Sequence, residues 1–299
     1  MVDLTQGSDG RRRPDEGRYW DGTANEPGQH RIRHVPTGGE GWVGHLVTTI
    51  EGEIIPRLML AHGSGAAERP SARSDNARLD QEEVREFARL IIGPDFSLAR
   101  AYVDMARARG LGLETIFLNL MAPTARLLGE LWKADDCDFT DVTIGLARLQ
   151  QLLREFAPAF QGALADCSDG RRVLLAPAPG EQHTFGLFMT EEFFRRSGWQ
   201  VLSEMDCSPG RIGEIVRSEW FSIVGFSLSG ERFLSELAVA IDLVRQNSKN
   251  QSIGIMVGGQ LFLDQPELVT LVGADVSASD ARQAVLHAER MLGAVSMRC

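Results

Sequence analysis

Long apolar runs are missing from this chain of 299 residues. No stretch approaches the roughly eighteen consecutive apolar residues of a membrane helix, so neither a membrane span nor a membrane partner is expected. Cysteine is scarce: Cys137, Cys167, Cys207 and Cys299 lie far apart without a C-x-x-C pair. Such scatter argues against a zinc site or a disulfide framework and suits a reducing cytoplasm. Arg11-Arg12-Arg13 has no apolar stretch behind it, so the N-terminus does not read as a secretory signal. Basic excess is also lacking. Lys and Arg number 31 against 41 acidic residues, the formal charge is −10 and the pI is near 5.2. A nucleic-acid-binding domain carries a basic patch, so DNA is expected to be contacted only indirectly or weakly. The first 34 residues hold six Arg and six acidic residues, so the negative charge belongs to the remainder.

Apolar content of 43% and a mean hydropathy of −0.13 describe a soluble globular protein, and the length suits two domains. Residues 1–41 are rich in Gly, Asp, Glu and Arg and predict a disordered arm. Residues 42–78 comprise an amphipathic helical segment, Trp42 to His62, interrupted at Pro56, and a Gly/Ala/Ser/Arg linker. Residues 79–168 predict a four-helix bundle. Asp80 with Glu83 opens its first helix, Gly93-Pro94 closes it, and the second runs from about Asp95 to Arg109. The third, from about Gly112 to Lys133, puts Leu113, Ile116, Leu120, Leu127 and Leu131 on one side, and the fourth starts near Thr140. Residues 169–299 alternate strands with helices. The strands are Arg172–Ala178, Gln200–Met205, Phe221–Ser227, Ser252–Val257 and Asp275–Ala278; the helices begin near Phe185, Arg211, Glu231, Gln265 and Asp280. The fold class is therefore α/β: a four-helix-bundle cap followed by a doubly wound, flavodoxin-like parallel sheet.

Three fragments fall at the carboxyl ends of these strands, where ligands of such sheets sit. They are Glu181-Gln182-His183-Thr184-Phe185-Gly186, Ser227-Leu228-Ser229 and Gly258-Gly259. In this order and spacing they resemble the D-x-H-x-x-G … S-x-L … G-G signature of cobalamin-binding domains. The resemblance implies that His183 is the lower axial ligand to cobalt and Glu181 its orienting carboxylate. It also implies that Gly186, Ser227, Ser229, Gly258 and Gly259 border the cofactor and the slot for its displaced nucleotide tail. The chemistry is sensible in itself, because a metal-ligating imidazole needs an acceptor on its other nitrogen and close approach to a bulky ligand calls for glycine. Two positions depart from the pattern: Glu181 stands where Asp is usual and Ser229 where Leu is usual.

Leu127-Leu128-Gly129-Glu130-Leu131-Trp132 resembles the G-E-L-W segment of the helical caps of cobalamin-dependent methyltransferases and CarH-type light sensors, in which Trp covers the upper corrin face. In the CarH-type caps a Glu-His pair follows nine residues later and reaches cobalt from above. Asp141-Val142 occupies that position here, and valine cannot ligate a metal. His45, in the amphipathic segment, is the expected alternative upper ligand.

With His45-Leu46-Val47, Thr49 to Leu58, Trp132 and the Glu181-x-His183-x-x-Gly186 sheet together, most of residues 42–297 resembles the AerR/PpaA antirepressors of purple photosynthetic bacteria. That resemblance implies a non-catalytic, cytoplasmic, light-responsive regulator that binds cobalamin, as hydroxocobalamin or adenosylcobalamin, and engages a CrtJ/PpsR-type repressor of photosynthesis genes. The alternatives are a corrinoid carrier for a methyltransferase, a cobalamin photoreceptor that binds DNA directly, and a sensor with haem on His183.

Overall fold

The computed structural model describes residues 79–162, 170–205 and 208–296. The chain divides into two units, Met1–Ala72 and Arg73–Cys299, and every described residue lies in the second. The Trp42–His62 segment, with His45, lies outside the described residues, as does the boundary expected at 168/169.

Helix α1 (Gln81–Ile92) starts on a capping box. The Asp80 carboxylate accepts from the Glu83 N–H at 2.8 Å, and Glu83 reaches back to the Asp80 N–H at 3.1 Å. Helix α2 (Phe96–Ala108) is capped by Asp95. Next come α3 (Leu113–Ile116), a π-helical turn (Phe117–Met121) and α4 (Ala122–Lys133), one continuous helical run. The turn precedes Pro123, which has no N–H to give to a regular ladder, and the Ala122 N–H accordingly bonds the Phe117 carbonyl.

The π turn takes up one extra residue. The buried face therefore passes from Ile116 and Leu120 to Thr124 and Leu128, leaving Leu127 and Leu131 only half-buried, contrary to the expected stripe. Helix α5 (Phe139–Gln161) begins on a second capping box, Asp138 with Asp141, and buries Leu149, Leu152, Leu153, Phe156 and Phe160. Helices α1, α4 and α5 pack on one another and α2 packs on α1, completing the bundle.

The sheet is wholly parallel with strand order β2-β1-β3-β4-β5: β1 Arg172–Pro177, β2 Gln200–Ser203, β3 Ile223–Ser227, β4 Gly254–Gly258 and β5 Val276–Ala278. This is the flavodoxin-like order, whose switch point lies between β1 and β3. Helices cover both faces, which explains the uninterrupted apolar runs Val173–Ala176 and Ile255–Val257, all buried. The helices are α6 (Phe185–Arg196), α7 (Pro209–Ser218), α8 (Leu234–Asn247, after a 3₁₀ turn Glu231–Phe233), α9 (Gln260–Asp264), α10 (Leu268–Leu271) and α11 (Ala281–Ser296).

The helix expected near Gln265 begins at Leu268, and a further short helix precedes it. That one begins at Gln260, directly after Gly259, and ends at Asp264, before Gln265, whose extended backbone (φ −134°, ψ 76°) suits the following Pro266.

The cap docks onto the sheet domain through α5 and α6. Phe117, Phe160 and Phe193 form a ring chain with centroids 4.8 and 4.9 Å apart, and Gln161 donates to Glu192 at 2.5 Å. Glu114 pairs with both Arg196 (3.1 Å) and Arg282 (3.3 Å). Among the described residues no helix is long and apolar enough to cross a membrane.

Candidate functional site

The carboxyl ends of β1, β3 and β4 stand in register, with Pro177 beside Ser227 and Ser227 beside Gly258. Backbone bonds lace the loops that follow them. The Ala178 N–H donates to the Ser227 carbonyl (2.8 Å) and the Leu228 N–H to the Gly258 carbonyl (2.9 Å). The three sequence fragments are thereby brought to one place at the switch point.

Glu181 is the knot of this arrangement. Its Oε1 accepts from the backbone N–H groups of Gln182 (2.7 Å) and His183 (2.8 Å) and sits 2.6 Å from His183 Nδ1. Its Oε2 accepts from both the N–H and the hydroxyl of Ser229, each at 2.8 Å. Burial would raise the pKa of this carboxyl. The bonds from His183 and Ser229 outweigh it and hold the pKa down at about 2. An ionised carboxylate only accepts, so His183 Nδ1 is the donor and the tautomer is set. The same hydrogen bond raises the imidazole pKa against the opposing effects of burial and of the Lys133 charge.

The Glu181 side chain is 5% exposed and that of His183 is 70% exposed. The carboxylate thus sits inside and turns Nε2 of the imidazole outward with its lone pair available. This is the arrangement required of a metal-ligating histidine.

The other positions divide by what their surroundings ask of them. A Cβ on Gly186 would meet nothing within 4 Å, and one on Gly258 would meet only the Ala278 carbonyl at 3.5 Å. Protein packing alone does not require glycine at either position. Gly259 differs: φ is +114° and a Cβ would stand 2.1 Å from the Leu228 carbonyl oxygen, so the fold itself forbids a side chain there. This close backbone crossing accounts for glycine at 259 without reference to a ligand. Ser227 Oγ is buried without a hydrogen-bond partner among the described residues, which leaves its hydroxyl available to a water or a ligand.

Trp132, in the last turn of α4, is 47% exposed; Phe139, at the start of α5, is 69% exposed, and the two rings meet edge to face at 6.4 Å. The charge of Lys133, next to Trp132, lowers the His183 pKa, so this end of the cap is near the loop that carries the imidazole. Asp141 is committed elsewhere, its carboxylate accepting from the Asp138 N–H at 3.2 Å and its own N–H donating to Asp138 at 2.8 Å. Val142 is half-buried in the first turn of α5. Sequence reasoning missed the tie of Ser229 to Glu181, the second aromatic Phe139, and the seating of Gly180 against the Phe233 ring. The exposed Phe directly after the Asp138 cap is the signal that could have found Phe139.

Among the described residues no group of three or more His, Cys, Asp and Glu could hold a bare metal ion. A corrin carries ring nitrogens of its own for the metal, so a single protein donor such as the His183 imidazole would suffice to hold it. The outward Nε2, the unpartnered Ser227 hydroxyl and the open sites at Gly186 and Gly258 fit such a group. A family model described as "B12 binding domain" matches residues 171–288.

This part of the chain is a B12-binding domain. A Rhodobacter capsulatus relative described as "Uncharacterized 20.5 kDa protein in bchF-crtJ intergenic region" is 25% identical over 177 residues, 59% of this chain and 92% of that protein. The B12-binding domain with its cap has the fold of the Methanosarcina barkeri monomethylamine corrinoid protein. The TM-score is 0.60 at 15% identity, covering 71% of this chain and 99% of that one. The domain match and the relative from the bchF-crtJ intergenic region are consistent with the AerR/PpaA resemblance read from the sequence.

Proposed function

We propose that this chain is a cobalamin-binding, light-responsive transcriptional regulator, without catalytic activity of its own, that relieves a CrtJ/PpsR-type repressor of photosynthesis genes. The single observation that carries the cofactor half is the Glu181–His183 pair, with Nδ1 held at 2.6 Å and Nε2 turned outward, on a B12-binding domain. His183 would bind cobalt from below, Glu181 would fix the imidazole, Ser227 and Gly258 would border the nucleotide tail, and Trp132 with Phe139 would roof the upper face. A corrinoid held there would supply visible-light absorption and an exchangeable ligand on its cobalt.

The regulatory half rests on the bchF-crtJ location of the Rhodobacter capsulatus relative and on the charge of −10, which disfavours tight DNA binding by this chain alone. An antirepressor must bind its repressor differently in its two cofactor states.

A gel-shift series with repressor and operator tests this. Adding the loaded protein is expected to release the repressor, with different potency in light and dark. The protein alone should bind DNA weakly, losing on the order of 10³-fold from low to moderate salt where many phosphate contacts form. Sequence-specific nanomolar binding by this chain alone at physiological salt contradicts the reading. The fold shared with the monomethylamine corrinoid protein favours one second reading, a corrinoid carrier to a methyltransferase. Corrinoid-dependent methyl transfer through a partner enzyme, with no effect on the repressor, would select it.

A further inference from the structure

We infer that the seam between the cap and the sheet domain carries a second binding site, for a small zwitterion with an aliphatic body, apart from the corrinoid site and independent of that reading. A cavity of about 180 Å³ lies between α5 and α6, and its lining is mostly apolar. The cap contributes Leu153 and Arg154; the sheet domain contributes Phe188, Glu191, Glu192 and Arg195. On α6 these residues recur at steps of three and four, so one face of the helix lines the cavity.

The sheet-domain wall holds more negative charge than it balances. The side chains of Glu191 and Glu192 are each 10% exposed, and carboxylates so far out of water need counter-charge. Both draw on the one guanidinium of Arg195, which pairs with Glu191 and lies 3.0 Å from Glu192. Gln161 adds only a neutral donor, to Glu192 at 2.5 Å. Among the described residues no second cation reaches either carboxylate.

The cap wall has the opposite surplus. Arg154 bonds only to Gln150 of its own helix, at the carbonyl and at Oε1, each at 3.4 Å, and among the described residues it meets no carboxylate. An ammonium beside Glu191 and Glu192 and a carboxylate on the Arg154 fork would complete both walls. A ligand with a single charge would satisfy one wall and face like charge on the other. At about 30 Å³ per water the space holds about six waters, so the occupant has roughly six to eight non-hydrogen atoms. A short aliphatic amino acid has that size, both charges and an apolar body for Leu153 and Phe188. Because α5 belongs to the cap and α6 to the sheet domain, the occupant ties the two together.

Titration calorimetry on the full-length, corrinoid-free protein tests this with three compounds of one skeleton: valine, isobutylamine (valine without its carboxylate) and isovalerate (valine without its ammonium). Valine is expected to bind at least about tenfold more tightly than either, since each charge-assisted contact adds affinity. Arg154→Gln should reduce valine to the level of isobutylamine and leave isobutylamine itself undiminished. Glu191→Gln should reduce valine toward isovalerate. Arg154 is exposed, so its variant should melt with the wild type when no ligand is present.

Valine no tighter than the two single-charge compounds would overturn the inference. So would an Arg154→Gln protein that binds valine as well as wild type does. A ligand-free Arg154→Gln variant that melts several degrees early would show the guanidinium already spent on the carboxylates, and would overturn it too. No corrinoid enters these measurements, so their outcome stands apart from that of the cobalamin reading.

Discussion

Replacing Glu181 by glutamine keeps the volume and removes the charge. The buried carboxylate accepts five hydrogen bonds: two from Ser229, two from the backbone N–H groups of Gln182 and His183, and one from the imidazole. A glutamine oxygen can replace one side of that set, but its NH₂ then faces donors on the other. The folded protein holds this carboxyl at about 2, against an ordinary value of 4.5. At about 1.4 kcal/mol per pH unit, the ionised form contributes on the order of 3 kcal/mol to folding at neutral pH.

The sign follows from the depression. The contribution is fully present above the unfolded value of 4.5 and is lost as pH falls through that value toward about 2. Urea unfolding of the cofactor-free protein, followed by circular dichroism from pH 7 downward, measures it. Glu181→Gln is expected to lose about 2–4 kcal/mol at pH 7 and to lack the part of the acid slope that Glu181 contributes. Its corrinoid affinity should fall about 10- to 100-fold. A variant within about 0.5 kcal/mol of wild type, typical of an unimportant surface change, with the acid slope intact, would refute the claim that this carboxylate ties the two loops together.

The two glycines should part company. Gly259→Ala drives a Cβ against the Leu228 carbonyl at 2.1 Å and is expected to lower the unfolding temperature sharply, by the several degrees that about 2 kcal/mol or more implies. Gly258→Ala meets only an ordinary contact and should leave the melting curve nearly unchanged while weakening cobalamin, as measured by spectrophotometric titration. Because the His183 pKa is raised, protons compete with cobalt for Nε2, so corrinoid affinity should decline as pH falls through that raised value; a flat affinity–pH profile would contradict it. The raised imidazole contributes to cofactor-free stability fully below 6.5, and that contribution disappears as pH rises through the folded value. Trp132→Ala removes an exposed ring and is expected to change stability by less than about 0.5 kcal/mol while loosening corrinoid binding; full-strength binding would remove Trp132 from the roof.

The parallel sheet and its five strands were readable because buried strands write themselves as short apolar runs and the switch point follows from their order. The pairing of His183 with Glu181 was readable because an imidazole and its acceptor two residues apart leave a local signature. What escaped the sequence was non-local. The bond from Glu181 to Ser229 joins residues 48 apart, and nothing in either residue type announces the other. The π turn at Phe117–Met121 shifted the buried face from Leu127 to Leu128, because a fixed period of 3.6 carries no sign of one extra residue. Asp141 read as a site residue by position alone, whereas its carboxylate closes the capping box with Asp138. Gly259 read as a slot residue, although its φ of +114° and its crossing with Leu228 explain it without a ligand.

The claim that His183 is the axial donor is tested most directly by electron paramagnetic resonance of the corrinoid-loaded protein reduced to the cobalt(II) form. Coupling to one axial nitrogen splits each cobalt line into a triplet. Protein made with histidine carrying the heavy, spin-one-half nitrogen isotope should give doublets instead, and His183→Ala should lose the coupling or fail to load. A triplet that survives both the labelled histidine and the His183→Ala substitution would show that the cofactor's own base remains on cobalt, and would contradict the account.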